Sequence, residues 1–318
     1  MNVVSRTTRR WIVFVGCIAI ALLPFRRLTT GTAAPTVTST AGIIGEYSVT
    51  ALGNMYGIAL GVDGNYWATG GSSGAIWRMT PSGAITSFQM PYLSPAPYPL
   101  AITAGPDGNL WITDFALSKI WRVSTAGAMT SFATIAANSA PFGIVVGPDN
   151  NLWFTEDRAN NLGRITTNGS VTEFPLPTAN AAPQGITRGP DGNLWFTEAA
   201  ANKIGRGTPS GAITEFAIPT GASGPLGITT GPDGALWFAE SRANKIGRVT
   251  TTGAFSEFLL APGKTPTNLV SGPDGNLWFT ENGGGAIGRI TTSGAVTEFT
   301  TPSPNSAPYS IIAGSDGN

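Results

Sequence analysis

Along most of this chain apolar residues fall in short runs separated by turn residues. The run Leu194-Trp195-Phe196-Thr197-Glu198 follows Gly189-Pro190-Asp191-Gly192-Asn193 and precedes Lys203-Ile204-Gly205-Arg206 and Gly211-Ala212-Ile213-Thr214-Glu215-Phe216. Runs of this length, bounded by Gly, Pro, Asp and Asn, read as β-strands, and Asp-Gly-Asn supplies the positive φ a tight hairpin needs. With Pro183-Gln184-Gly185-Ile186-Thr187 ahead of them, four strands make one unit. The unit recurs: tryptophans at 67, 111, 153, 195, 237 and 278 mark six copies, 41 to 44 residues apart. That period with four strands predicts propeller blades, and a lone blade cannot bury its own faces, so the blades pack radially around a channel.

Two incomplete pieces flank the copies. Gly42-Ile43-Ile44-Gly45-Glu46-Tyr47 reads as a fourth strand, and Pro308-Tyr309-Ser310-Ile311-Ile312 as a first strand, followed by a turn at Gly314-Ser315-Asp316-Gly317-Asn318. The expected fold is all-β: a seven-bladed β-propeller of four-stranded blades over residues 42–318. Its last blade is expected to be incomplete at the C-terminus, with only its first and fourth strands.

The N-terminus breaks the pattern. Arg6, Arg9 and Arg10 precede an apolar stretch from Trp11 to Phe25, a length that suits a signal-peptide core better than a membrane span, with Gly31, Ala33 and Ala34 offering cleavage. Residues 1–34 therefore read as a signal peptide, with an N-terminal membrane anchor as the alternative, and 35–41 as a flexible leader. The expected location is secreted or cell envelope, with membrane contact only through an uncleaved N-terminus. The single cysteine, Cys17, lies in this stretch, which leaves the propeller no disulfide or thiolate metal site.

Composition narrows the partners. Charged residues are 11% of the chain and balance at 18 against 18, so no basic field exists to attract nucleic acid. The 42 glycines and 24 prolines are accounted for as turn residues of the repeat. A monomer taking a small-molecule or peptide-like ligand is the expectation.

The repeats act as an internal control: a polar residue present in every blade reads as architecture, and one that differs marks a candidate site. Glu156, Glu198, Glu240 and Glu281, with Asp114, recur at the ends of second strands, each eight residues before an arginine. They read as a repeated contact of carboxylate with Arg or Lys, and only weakly as metal ligands. The innermost strands hold no Asp, Glu or His, which disfavours a hard cation in the channel. Arg188 is the odd residue among them, a candidate for an anion or for a neighbouring carboxylate or carbonyl. One mouth of the channel should carry Tyr56, Leu100, Phe142, Gln184, Leu226, Thr267 and Tyr309. Five of these seven are aromatic or aliphatic, which reads either as an apolar funnel for a greasy ring or macrocycle or as a plug. Tyr56, Phe142, Gln184, Arg188, Thr267 and Tyr309 are the ligand-binding candidates.

The combination of Leu-Trp-Phe-Thr-Glu, Asn-Lys-Ile-Gly-Arg and Thr-Glu-Phe over residues 42–318 resembles the virginiamycin B lyase, or streptogramin B lyase, family. The resemblance implies a seven-bladed propeller conferring antibiotic resistance by linearising a cyclic depsipeptide through elimination, with Mg2+ and a histidine base. The family's two Pro-His pairs correspond here to Pro266-Thr267 and Pro308-Tyr309, and its metal-binding glutamate to Ala307; a second metal carboxylate would fall beyond Asn318. Tyr56 matches a tyrosine that lines the family's substrate site. The chain contains no histidine at all. A tyrosine of ordinary pKa is a poor base near neutrality, so the resemblance in fold is not expected to extend to the reaction. Three functions follow: a ligand-binding propeller without the lyase chemistry, a lyase with relocated base and metal, and a metal-dependent lactone hydrolase. Asn268 is the only channel-strand ligand of the kind the last would need.

Overall fold

The structure, a computed structural model, describes residues 55–303 and 305–314, and the backbone alone of 11–15, 18–21 and 45–48. The cleavage candidates, the leader, Cys17 and the turn after Gly314 lie outside the described residues.

Residues 58–300 form six sheets, each of four consecutive antiparallel strands in chain order. Blade four is typical: Pro183–Arg188, Leu194–Glu198, Lys203–Gly207 and Ile213–Ala217. The expected ring is corrected here: six blades, not seven, are built in this way. The strand Pro308–Ala313 does not begin an incomplete blade. It pairs with Trp11–Val15, which pairs with Ile18–Ala21, which pairs with Gly45–Ser48, so a closing sheet joins both ends of the chain. Gly45–Ser48 does share a sheet with Pro308–Ala313, as the prefix suggested, but two strands stand between them. The physical reason is the open edge of Pro308–Ala313, whose unpaired N–H and C=O groups accept any extended apolar segment. A period search cannot see pairing with a segment outside the period. No helix of the described residues is long and apolar enough to cross a membrane.

Each recurring motif has one structural job. Asp191 of the first turn accepts a hydrogen bond from Trp195 Nε1 at 3.0 Å, which locks the indole over the hairpin. Trp195 stacks on Phe216 of the fourth strand at 5.5 Å, and the Arg206 guanidinium lies 5.7 and 5.5 Å from the two ring centroids. Arg206 then donates to Thr251 O of the next blade at 3.3 Å. The same Trp and Phe stack recurs in all six blades.

The second-strand threonine ties neighbouring blades around the channel. Thr197 Oγ1 accepts from Gly185 N at 3.0 Å within its own blade and donates to Leu226 O of the next at 2.7 Å. Thr113, Thr155 and Thr280 repeat this, at 2.7, 2.6 and 3.0 Å to Phe142, Gln184 and Tyr309 carbonyls, and blade five breaks it with Ala239. In blade three the approach leaves no room for a side chain, since a Cβ on Gly143 would stand 2.5 Å from Gln184 O, whereas blades two and six make the same bond with Ala101 and Asn268 at that position. Thr197→Val should therefore cost ~1–3 kcal/mol, because it strands a buried donor and acceptor at nearly constant volume. Thr197→Ser should lie near wild type. Equal urea midpoints for the Val and Ser variants would contradict this role.

Candidate functional site at the channel mouth

The first strands of blades two to six carry a register shift just after their prolines, between Pro183 and Ile186 in blade four and between Pro266 and Leu269 in blade six. A bulge re-aims side chains. Here it places Leu100, Phe142, Leu226 and Thr267 around a cavity of about 200 Å3, with Tyr56 and Tyr309 completing the rim and a belt of isoleucines beneath. That volume suits a single ring or side chain, being below the range for a whole drug-sized ligand.

Four of the six ligand-binding candidates, Tyr56, Phe142, Thr267 and Tyr309, are thus brought together. The other two are not. Gln184 turns away and donates to Asp157 Oδ2 at 3.0 Å, and Arg188, at the far end of the same strand, is exposed and does not line the cavity. Thr267 is buried and shares a 2.7 Å hydrogen bond with Thr280, so its hydroxyl is held in the blade wall. Asn268, the candidate cation ligand, accepts from Leu269 N at 2.8 Å and donates to Ser310 Oγ at 3.4 Å. Ala307 lies exposed beside the rim with φ 47°.

The aromatic side of the rim is a tyrosine cluster. Tyr56 meets Tyr309 edge to face at 5.2 Å and Tyr98 at 5.5 Å, and Tyr98 Oη donates to Tyr56 Oη at 2.6 Å. Burial, helped by the neighbouring Tyr56, pushes Tyr309 up to about 12. Burial, then the bond to Tyr56, pushes Tyr98 up to about 12 as well. These phenols are donors at any physiological pH. Tyr98 is a residue that sequence reasoning missed. Its signal was present: the residue before the first-strand proline is Ala140, Ala182, Gly224, Thr265 and Ala307 in blades three to six and before Pro308, but Tyr98 in blade two.

The recurring carboxylates do not converge on the cavity. Glu156, Glu198, Glu240 and Glu281 are fully buried, each within its own blade, and no group of three or more His, Cys, Asp or Glu among the described residues could hold a metal ion. Among the described residues the cavity offers hydroxyls, an Asn268 amide oxygen already accepting from Leu269 N, and no carboxylate, a donor set that does not fit magnesium. The eight-residue spacing to arginine does not bring the pair together either. Arg206 stands opposite Trp195, whereas Glu198 stands opposite Lys203 at the other end of the strand. Lys264 Nζ lies 3.2 Å from Glu281, Glu156 accepts from Asn161 Nδ2 at 2.9 Å, and Lys203 reaches Glu215, on the fourth strand, at 2.7 Å.

Glu198 and Glu215 face each other across Gly205, where a Cβ would stand 2.8 Å from Glu198 Oε1. Among the described residues neither Glu198 oxygen has a hydrogen-bond partner. Burial, reinforced by the charge on Glu215 and opposed by Lys203, pushes Glu198 up to about 8. Burial acts upward on Glu215 too, but hydrogen bonds from Lys203 and Thr178 outweigh it and hold Glu215 below the usual range. The signs are then fixed. Glu198 holds a proton in the folded protein that it loses when unfolded, so its contribution is full below about 4.5 and is lost as pH rises to about 8. Glu215 acts oppositely, losing its contribution as pH falls through the acid range. Stability should decline from mildly acid pH toward pH 8. Glu198→Gln, which mimics the neutral acid, should flatten that decline and raise stability at pH 8 by on the order of 1 kcal/mol or more. A variant melting profile parallel to wild type between pH 5 and 8 would contradict it.

The chain matches the family described as the Virginiamycin B lyase family over residues 43–318. A selenomethionine-substituted virginiamycin B lyase from Staphylococcus aureus is 41% identical, over 80% of this chain and 87% of that one, with a TM-score of 0.77. A catalytically inactive histidine-to-alanine variant of virginiamycin B lyase from Staphylococcus aureus, solved with quinupristin, is 40% identical over 81% and 88%, with a TM-score of 0.78. A structure described as streptogramin B lyase is 38% identical over 83% and 88%, with a TM-score of 0.79. No curated protein matches the chain.

Proposed function

The chain belongs to the virginiamycin B lyase family, and from that premise we propose that its channel mouth holds a carbonyl-bearing macrocycle without opening it. One observation carries this reading: the cavity is rimmed by Tyr56, Leu100, Phe142, Leu226, Thr267 and Tyr309, and carries neither an imidazole nor a carboxylate. The apolar rings supply the contact area for an inserted side chain. A cavity of about 200 Å3 takes that side chain, while the rest of the macrocycle rests on the rim. Elimination needs a base to take a carbon-bound proton, and Tyr309 at about 12 is ionised in roughly one molecule in 10^5 at pH 7. Magnesium, where a family member binds it, acts as a Lewis acid on the leaving ester; here the rim residues do not fit the ion, and no step runs through it.

Isothermal titration with quinupristin tests the reading. Saturable binding at one site per chain, weakened at least tenfold by Tyr56→Ala, is expected; heats at the dilution level with wild type would contradict it. The arginines and the apolar run ahead of residue 34 support export as a further part of the proposal. Export with cleavage and the closing sheet place opposite demands on residues 11–21. The intact mass of protein recovered from the medium distinguishes them: loss of residues 1–34 supports export by a cleaved signal, and retention of Trp11–Ala21 contradicts it.

A further inference from the structure

The tyrosine that blade two places against Tyr56 of the rim has no counterpart in the other blades. At the position before the first-strand proline, Ala140, Ala182, Gly224, Thr265 and Ala307 all have positive φ, between 41° and 63°, and small or short side chains. Tyr98 is absent from the positive-φ residues, so the chain enters blade two along a different path. That path is held firmly. Tyr98 N donates to Asp114 Oδ1 at 3.0 Å, and Tyr98 O accepts from Phe115 N at 3.1 Å. Asp114 is itself buried and also accepts from Leu117 N at 3.1 Å and Trp121 Nε1 at 3.0 Å. Blade two thus uses its shorter, fully hydrogen-bonded carboxylate to fix one aromatic ring against Tyr56.

The consequence lies in the direction of the phenol protons. Tyr98 Oη donates to Tyr56 Oη at 2.6 Å, which occupies an acceptor lone pair of Tyr56 and leaves the Tyr56 proton to be placed elsewhere. Among the described residues no acceptor receives it, and Tyr56 lines the cavity. A hydroxyl that accepts one hydrogen bond becomes a better donor of the next. We propose that Tyr98 is a positioning residue that turns Tyr56 into a fixed hydrogen-bond donor, so that the mouth selects ligands presenting an ester or amide carbonyl oxygen at that point and discriminates against rings that carry none. The inference rests on reading the mouth as a ligand site. It adds which atom the ligand must present and which residue sets that demand. Discrimination of this kind is strong because an unmatched buried donor is costly, whereas apolar contact alone separates similar rings weakly.

Calorimetric titration of quinupristin against wild type, Tyr98→Phe, Tyr56→Phe and the double variant tests it, with thermal melts showing that each is folded. Each single variant should bind roughly 3- to 10-fold more weakly, and the double variant no more weakly than Tyr56→Phe alone, since Tyr98 acts only through Tyr56. Infrared difference spectra supply a readout that a purely structural role would not move: a ligand carbonyl band should shift to lower frequency in the wild-type complex and return toward its free position with Tyr98→Phe. Toluene, an aromatic ring without an acceptor, should bind Tyr98→Phe and wild type alike. Unchanged quinupristin affinity in Tyr98→Phe, strictly additive losses in the double variant, or an unshifted carbonyl band would overturn the role of Tyr98 while leaving the mouth as a ligand site. Failure of wild type to bind quinupristin would overturn both.

Discussion

Incubated with quinupristin and magnesium, the protein is expected to return the macrocycle intact, at the rate of a protein-free control. The expectation rests on residue chemistry at the rim. Thr267 has its hydroxyl tied to Thr280, the Ala307 side chain has no ligating atom, and Tyr309 is pushed up to about 12 by burial. A phenol about five units above neutral pH forfeits ~7 kcal/mol in availability as a base, a factor of about 10^5 in rate. Elimination yields an isomer of the ligand and hydrolysis adds one water, so chromatography with tandem mass spectrometry separates the intact ring from either product. Thr267→His, Ala307→Glu and Tyr309→His together are the minimum change expected to raise turnover. Turnover by the unmodified protein that EDTA abolishes would contradict the non-catalytic reading, and product mass would then tell a relocated lyase from a lactone hydrolase.

A large stability effect is expected from Trp195→Ala. The indole is fully buried and packs against Ile228, Leu236 and Phe238 of the next blade as well as Phe216 of its own. Removing it opens a cavity at a blade interface, takes from Asp191 one of the hydrogen bonds that outweigh its burial and hold its carboxyl below the ordinary range, and leaves Arg206 only the Phe216 ring of the two it lies over. The cost should be ~3–5 kcal/mol, the usual range for a deleted core aromatic. Trp195→Phe should recover part of it. A chemical-denaturation midpoint for Trp195→Ala within error of wild type would show that the repeat motif is not what holds neighbouring blades together.

The blade was legible because its signals are local. The turn Asp191-Gly192-Asn193 fixes the hairpin, Trp195 and Phe216 fall where they must stack, and Thr197 and Gly185 recur in most blades at the channel wall, where the threonine ties one blade to the next. The closing sheet was not legible. Trp11–Val15 carries no blade motif, and its pairing with Pro308–Ala313 spans nearly the whole chain. The mouth was half legible. Period alone placed Tyr56, Phe142, Thr267 and Tyr309 on one rim, but Gln184 is drawn aside by its hydrogen bond to Asp157, and strand length put Arg188 at the other end. The recurring glutamates show where a spacing rule misleads. In a hairpin, residues eight apart need not face each other, and Glu198 opposes Lys203 while Arg206 opposes Trp195. Asn202, just before that lysine, was also passed over. It adopts φ 57°, accepts from Ser223 N at 2.7 Å and donates to Thr220 O at 2.9 Å, clamping the connection into the next blade.

The channel mouth is expected to hold a ring and leave it closed. The most direct measurement is gel filtration of the protein with excess quinupristin, followed by chromatography and tandem mass spectrometry of the ligand released from the protein peak. The account predicts quinupristin in near-equimolar amount, intact, and absent from the peak of Tyr56→Ala. Ring-opened ligand in the wild-type peak, or a wild-type peak carrying no ligand, would contradict it.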